Sequence, residues 1–147
     1  MKSIIEAIAT TDERDFMLNF LDQLREKSYS LNFDVKSALK DVPQEGSQVV
    51  TEIFEAAYSQ GRDAWMKEID KAQDDIRNMQ MATLTIAIEP TLELAWKIKR
   101  WFRSELGREV MIDFKTDKSL IGGAVLESSG YRTEHSFRQY FETRNKN

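Results

Sequence analysis

The sequence of 147 residues contains no cysteine, one histidine (His135) and two prolines. Without cysteine there are no disulfides, thiolate metal sites or cysteine nucleophiles, and a single imidazole excludes metal motifs that need two. No apolar run approaches the roughly 20 residues of a membrane span, and the N-terminal segment meets acidic residues too early for a signal peptide. These absences predict a soluble, cytoplasmic protein that does not insert into a membrane and uses no metal or cofactor.

Hydrophobic residues make up 41% of the chain and charged residues 31%, which is typical of a folded globular protein. The net charge of −4 is unevenly distributed: residues 1–80 carry ten Lys/Arg and sixteen Asp/Glu, whereas residues 81–147 carry eleven and nine. An acidic half argues against nucleic acid as a partner. The asymmetry favours a protein whose two halves contact different protein surfaces.

Residues 1–80 are predicted to be helical throughout. Between residues 12 and 28, preceded by Thr11 as a cap, apolar side chains recur every three or four positions and define one buried helix face (Phe16, Phe20, Leu21 and Leu24). A short helix is expected over 32–41, and Pro43 with Gly46 should break the chain. The sequence therefore predicts an N-terminal helical bundle over 1–80.

The longest predicted helix covers about 47–80, where no proline interrupts a near-helical apolar period. If continuous, it would be about 50 Å long at 1.5 Å per residue. Gly61 lies inside it and costs roughly 1 kcal/mol relative to alanine, so a kink or a division into two helices is the alternative.

After Met81 the pattern changes to that of a small β-α-β-β-α domain over 81–147. Alternating apolar residues predict strands, and Thr91 and Gly107 are expected to cap the first helix of this domain. The predicted elements are strands at 82–88, 110–115 and 124–128 and helices at 91–106 and 134–143. The fold class is therefore α+β, with two domains at 1–80 and 81–147.

Few residues of the sequence are candidates for catalysis or phosphate binding. A strand follows Gly122 and Gly123, whereas a phosphate-binding loop needs a helix there, so these glycines are interpreted as a turn between strands. Glu134, His135 and Ser136 are neighbours that diverge on a helix, so they form no triad. The sequence predicts no catalytic residue, although a small hydrolase or transferase using His135 and Ser136 remains the alternative from another class.

The outer surface of the predicted 91–106 helix combines a tryptophan with two arginines. With Ile98 at the centre of the buried face of the 91–106 helix, Trp96 falls about 160° away, beside Arg100 and Arg103. Aromatic residues with arginine are favoured at protein interfaces. The alternative is a tryptophan lying flat beneath Lys and Arg side chains in a cation–π contact.

The stretch 83–141 resembles the C-terminal domain of the delta subunit of F-type ATP synthases, called the oligomycin-sensitivity-conferring protein in mitochondria. Four motifs carry the resemblance: Ala-Ile-Glu-Pro at 87–90, Glu-Leu-Gly at 105–107, Val-Met-Ile-Asp at 110–113, and Asp-Lys-Ser-Leu-Ile-Gly-Gly at 117–123 followed by Ser136. The N-terminal helical domain is shorter than that of the family.

The resemblance implies a non-catalytic peripheral-stalk, or stator, subunit that takes part in ATP synthesis and proton transport by protein–protein binding alone. Its implied partners are the alpha subunits of the catalytic head and the b subunit of the stalk, at the cytoplasmic face of the cell membrane. The expected partner-binding residues are Trp96, Arg100, Arg103, Leu120, Ile121, Gly122 and Gly123. The alternatives are the E-type stalk subunit of V/A-type rotary ATPases, which predicts an unbroken 47–80 helix, and an unrelated helical adaptor.

Overall fold

The computed structural model describes residues 3–120, 124–128 and 131–133. The chain divides into two compact units, Met1–Met79 and Gln80–Asn147. The first unit is helical and the second combines helix and sheet, which confirms the predicted mixture of helix and strand. Among the described residues, no helix is both long and apolar enough to cross a bilayer.

The helical unit consists of four α-helices and two short 3-10 turns. The helices are α1 (Thr11–Lys27), α2 (Val35–Ala38), α3 (Gln44–Ser59) and α4 (Arg62–Arg77), and the 3-10 turns are Ile4–Ala7 and Leu39–Asp41. The Ile4–Ala7 turn contacts both α3 and α4, and α4 also contacts α1. The N-terminal turn therefore packs within this unit.

Helix α1 begins one residue earlier than predicted. The N-cap is Thr10, whose Oγ1 accepts a hydrogen bond from the Glu13 backbone N–H at 3.0 Å, while the Glu13 carboxylate accepts from the Ala9 N–H at 2.9 Å. Its buried side chains are Met17, Phe20, Leu21 and Leu24. Phe16, which the periodicity assigns to the buried face, is 42% exposed and stacks on Phe20 instead.

The predicted continuous helix over 47–80 is wrong, and the alternative of two helices is the one observed. Helix α3 ends at Ser59, and α4 begins at Arg62 after Gly61, whose φ is 108° and ψ is 175°. This backbone conformation is accessible essentially to glycine alone. The chain thereby reverses within two residues, and α3 and α4 contact each other.

Gly46 does not break the chain as the sequence suggests, because it lies inside the first turn of α3. Pro43 precedes this helix as its N-cap residue. A Cβ atom added at Gly46 would lie 2.7 Å from the Cβ and 2.8 Å from the carbonyl oxygen of Ala7. The glycine therefore permits close approach of α3 to the N-terminal 3-10 turn.

A polar network joins α1 to α4 beside their apolar contact. The Arg25 guanidinium donates to Asp70 at 2.6 Å and to the Gln73 side-chain oxygen at 3.0 Å. The Gln73 amide in turn donates to Asp22 at 2.8 Å. Because Gln73 is buried, these bonds satisfy a side chain that would otherwise be costly to enclose.

The second unit contains a four-stranded sheet in the order β2-β1-β3-β4. The elements within the described part of this unit are β1 (Gln80–Ile86), α5 (Leu92–Leu106), β2 (Val110–Thr116), β3 (Ala124–Ser128) and β4 (Tyr131–Thr133). Strands β1 and β2 are parallel and α5 connects them, whereas β3 is antiparallel to both β1 and β4. The unit thus begins with a β-α-β crossover followed by a hairpin.

One face of this sheet packs against α5. Alternate residues of β1, β2 and β3 meet Ile98 and Phe102 of the helix in one buried cluster, whose strand members are Ala82, Leu84, Ile86, Val110, Ile112, Ala124 and Leu126. Leu94, Trp101 and Phe114 pack against its margin. The period-two pattern of the strands and the three-to-four period of the helix therefore converge on a single core.

Three predictions for this unit differ from the structure or lie outside it. Strand β1 ends at Ile86, so Ile88 is 69% exposed in the following loop rather than aligned with Leu84. Strand β4 is present although the sequence did not predict it. The helix predicted at 134–143 lies outside the described residues.

Candidate partner-binding surfaces

Helix α5 carries three of the seven residues predicted to bind a partner, and both of its predicted end signals are confirmed. The Thr91 hydroxyl accepts a hydrogen bond from the Leu94 N–H at 3.1 Å. Gly107, with φ 62° and ψ 27°, ends the helix by donating its N–H to the Arg103 carbonyl at 3.1 Å. The ends of the helix, and hence the directions of its side chains, are fixed by local signals.

The predicted exposure of Trp96 is wrong. Its side chain is only 8% exposed, and its indole Nε1 has no hydrogen-bond partner within the described part of the chain. The helix is buried over a wider arc than an Ile98-centred wheel predicts, because Lys99, about 100° from Ile98, is buried as well. Trp96 is therefore a packed residue of α5, and its role in partner binding stays a prediction.

A buried ion pair explains why Lys99 can lie inside this arc. Its ammonium group donates to the Val110 carbonyl oxygen at 3.0 Å and lies 3.1 Å from the Glu109 carboxylate. The other oxygen of Glu109 lies 3.2 Å from Nε of Arg103. Lys99 and Arg103, one turn apart on α5, thus share one carboxylate at the start of β2.

The exposed part of α5 is consequently smaller than predicted. Arg100 and Arg103 are exposed, as the sequence indicates, and Leu92 on the same side of the helix is 47% exposed. Because Arg103 is ion-paired with Glu109, it is held in place on this surface. The outer face of α5 is accordingly defined by Leu92, Arg100 and Arg103.

The loop after β2 forms a closed turn. The Asp117 N–H donates to the Ile86 carbonyl at 2.9 Å, which joins the loop to the end of β1. The hydroxyl of Ser119 donates to the Asp117 carboxylate at 2.7 Å and its N–H donates at 3.0 Å. These bonds, the hydroxyl bond first, lower the pKa of Asp117 below its ordinary value of 3.8.

Of the remaining predicted site residues, Leu120 lies within the described part of the chain and the others lie outside it. Leu120 is half-buried, and its N–H donates to the Asp117 carbonyl at 3.1 Å. Ile121, Gly122 and Gly123 lie outside the described residues, as do His135 and Ser136. The structure therefore brings Arg100 and Arg103 together on α5 and assigns Leu120 to the loop after β2.

The helical unit carries an exposed apolar surface that the sequence analysis did not identify. It is formed by the loop after α1 and the corner between α3 and α4, and we call it the aromatic surface (Tyr29, Leu31, Phe33, Tyr58 and Arg62). The Arg62 guanidinium lies 4.8 Å from the centre of the Tyr29 ring, and the Phe33 and Tyr58 ring centres are 5.7 Å apart. Periodicity could not reveal it, because three of its five members lie in a loop.

Exposure sets this surface apart from the core beneath it. Leu31 is fully exposed, Tyr29 is 59% exposed and Tyr58 is 45% exposed, whereas Trp65, whose ring centre lies 5.4 Å from that of Tyr58, is buried. Single exposed apolar residues such as Leu31 are common, but rings that lie together, as those of Phe33 and Tyr58 do, often mark interaction sites. The helical unit therefore has a candidate binding surface of its own.

Neither unit shows an evident site for chemistry in its described part. Among those residues no group of three or more His, Asp or Glu side chains is arranged to hold a metal ion.

The chain is similar to a known protein over part of its length. No family model matches the chain. Over 100 residues it is 27% identical to ATP synthase subunit delta of Ligilactobacillus salivarius (strain UCC118), which covers 65% of this chain and 56% of that protein. The chain thus spans little more than half the length of this curated relative. The similarity supports a delta-like relationship.

Proposed function

We propose that this protein is a delta-type peripheral-stalk subunit of an F-type ATP synthase, acting without catalysis by joining the catalytic head to the b subunit of the stalk. The observation that carries the proposal is the 27% identity to a delta subunit over 100 residues. The Asp-Lys-Ser-Leu-Ile-Gly-Gly sequence at 117–123 and the β-α-β-β order of the second unit are consistent with it.

In this proposal, the sheet-containing unit binds the b subunit through the outer face of α5 and the loop after β2. Arg100 and Arg103 offer guanidinium groups to carboxylates of a helical partner, and Leu92 adds apolar contact. Trp96 supports this surface from within, since it is buried. Leu120, Ile121, Gly122 and Gly123 remain the proposed contacts of the loop.

The helical unit binds the alpha subunits of the head, and its aromatic surface is the proposed contact. Tyr29 and Tyr58 provide rigid apolar area at low entropic cost, and Leu31 projects fully from the loop. Holding a head against a turning rotor requires slow dissociation, which well-packed apolar contacts provide. Two different partners are consistent with two units of opposite net charge.

The E-type alternative predicts an unbroken helix over 47–80. The chain instead reverses at Gly61 between α3 and α4. The delta-type function is therefore the one we propose.

The proposal is tested by purifying the tagged protein from its native membranes under mild detergent. Co-elution of alpha, beta and b subunits, identified by mass spectrometry, is the expected result. Recovery of the tagged chain with none of these subunits would refute the proposal.

Two matched variants assign the two contacts. Leu31→Ser removes a side chain that packs on nothing, so the helical unit should fold normally while alpha and beta recovery falls about tenfold, or ~1.4 kcal/mol. Arg100→Glu should instead reduce b recovery and leave the head subunits bound. Each variant is the control for the other, and loss of all subunits in both variants would contradict the separate assignment of the two surfaces.

A further inference from the structure

The connection between α3 and α4 combines two features that are rarely found together. It consists of Gln60 and Gly61 alone, and it depends on a glycine conformation at φ 108°. The sequence around it nevertheless continues one helical apolar phase, because Ala57, Gly61 and Trp65 follow at intervals of four. The chain here is folded as a hairpin but patterned as a single helix.

We propose that Gly61 is a hinge at which α3 and α4 can open into one helix over 44–77, so that two copies of this chain exchange α4. The partner is a second copy because α4 already has its complementary surface in this chain. Trp65, Ile69 and Ile76 are buried in the helical unit, and the same contacts with α1, α3 and the Ile4–Ala7 turn would form between two chains.

The energy balance at Gly61 decides between the two forms. In the closed form residue 61 must combine a φ of 108° with an extended ψ, which costs a residue with a side chain at least about tenfold in equilibrium constant. In the opened form residue 61 is an ordinary helical position, where alanine is favoured over glycine. Glycine therefore favours the closed monomer, whereas a side chain at residue 61 would strain this short connection and favour exchange.

No neighbouring atom would clash with a larger side chain at Gly61. A Cβ atom built at Gly61 meets no atom within 4 Å, so Gly61→Ala changes the backbone preference without a steric clash. Two chains are relieved of the penalty in each exchanged dimer. The dimerisation constant of Gly61→Ala should therefore rise about hundredfold over that of the unaltered chain.

Gly107 provides a matched control. It also has a positive φ, 62°, and also meets no atom within 4 Å of an added Cβ. The chain after it enters β2 at Val110, however, so α5 has no second helix with which to fuse. Gly107→Ala should also be destabilised, by the cost of about tenfold in equilibrium constant for a left-handed α conformation, and remain monomeric.

The test measures mass by light scattering after both variants and the unaltered chain are refolded from denaturant at increasing protein concentration. Opening must break the contacts that bury α4 in the helical unit, so exchange is expected during refolding rather than in the folded protein. Once formed, the exchanged dimer should persist after dilution. A Gly61→Ala chain that folds as a monomer over the whole range would overturn the proposal, and so would a Gly107→Ala chain that dimerises equally.

Cross-linking distinguishes exchange from association through an outer surface. Arg25 of α1 and Asp70 of α4 lie 2.6 Å apart at their tips, and the chain has no cysteine of its own. Chains carrying Arg25→Cys are refolded with chains carrying Asp70→Cys and treated with a short bis-maleimide. An Arg25→Cys chain joined to an Asp70→Cys chain is expected at high concentration, most of all with Gly61→Ala.

The cross-linking experiment also covers the case in which Gly61→Ala does not fold, because it is repeated with Gly61 retained. A cross-linked pair that increases with refolding concentration supports exchange in the natural sequence. Its absence at every concentration overturns the proposal. The inference does not depend on the proposed stalk function.

Discussion

The contact between Gly46 and Ala7 makes a stability prediction whose sign is opposite to that expected from helix propensity. Gly46 is in the first turn of α3, where Gly46→Ala would ordinarily gain up to about 1 kcal/mol. Here the new Cβ would lie 2.7 Å from the Ala7 Cβ and 2.8 Å from the Ala7 carbonyl oxygen. Overpacking of this kind costs about 1–3 kcal/mol.

We therefore expect Gly46→Ala to destabilise the helical unit by a net ~1–2 kcal/mol. With a urea dependence of about 1 kcal/mol per molar for a unit of this size, the unfolding midpoint should fall by roughly 1–2 M. Trp65 reports on this unit selectively when the other two tryptophans are replaced by phenylalanine. Urea unfolding followed by fluorescence in that background is the assay.

A second substitution separates the two parts of the clash. Ala7→Gly in the Gly46→Ala background removes the Cβ–Cβ contact but leaves the carbonyl contact, so it should recover part of the lost free energy of unfolding. The same Ala7→Gly change with Gly46 retained is the control for its own cost. A midpoint that stays unchanged or rises in Gly46→Ala would refute the proposed close approach of α3 to the N-terminal turn.

Three further predictions follow from the described contacts. Phe102→Ala should cost about 3–5 kcal/mol of unfolding free energy in the sheet-containing unit, measured by urea unfolding, because its ring is fully buried in the core cluster. Arg25→Ala should cost about 1–3 kcal/mol in the same assay: its pair with the largely exposed Asp70 adds little, but the buried Gln73 oxygen loses its donor. Ser119→Ala should raise the pKa of Asp117 towards 3.8 in an NMR titration; because that pKa is lowered on folding, its stabilising effect is present above the unfolded value and lost as pH falls through the folded one.

The elements that sequence reasoning located well are those with local signals at both ends. Helix α5 is bounded by Thr91, whose hydroxyl caps the first turn, and by Gly107, which adopts the left-handed conformation. Such signals act over a few residues and need no tertiary information. Strand β1 was predicted from its alternation, although its end was placed two residues late, at Ile88.

The division of the 47–80 segment into two helices at Gly61 could not be predicted from local sequence signals. A glycine inside a helical pattern costs only about 1 kcal/mol, so the pattern alone admits both a continuous helix and a hairpin. The choice depends on what α4 buries, and Trp65, Ile69 and Ile76 become buried in the folded helical unit. That information lies in contacts with distant parts of the chain, such as the Ile4–Ala7 turn.

The candidate surface on α5 was predicted only in part, for a related reason. A helical wheel gives angles between side chains, but it does not give the width of the buried arc, and Lys99 is buried through partners outside the helix, Glu109 and the Val110 carbonyl. Burial of Lys99 extends the buried surface of α5 to the side of the helix on which Trp96, one turn away, is also buried. Loss of binding in Trp96→Ala would then report disturbed packing of α5, whereas loss in Arg100→Glu, with folding retained, would report the contact itself. Arg100 is therefore the residue on which a test of the proposed partner surface on α5 depends.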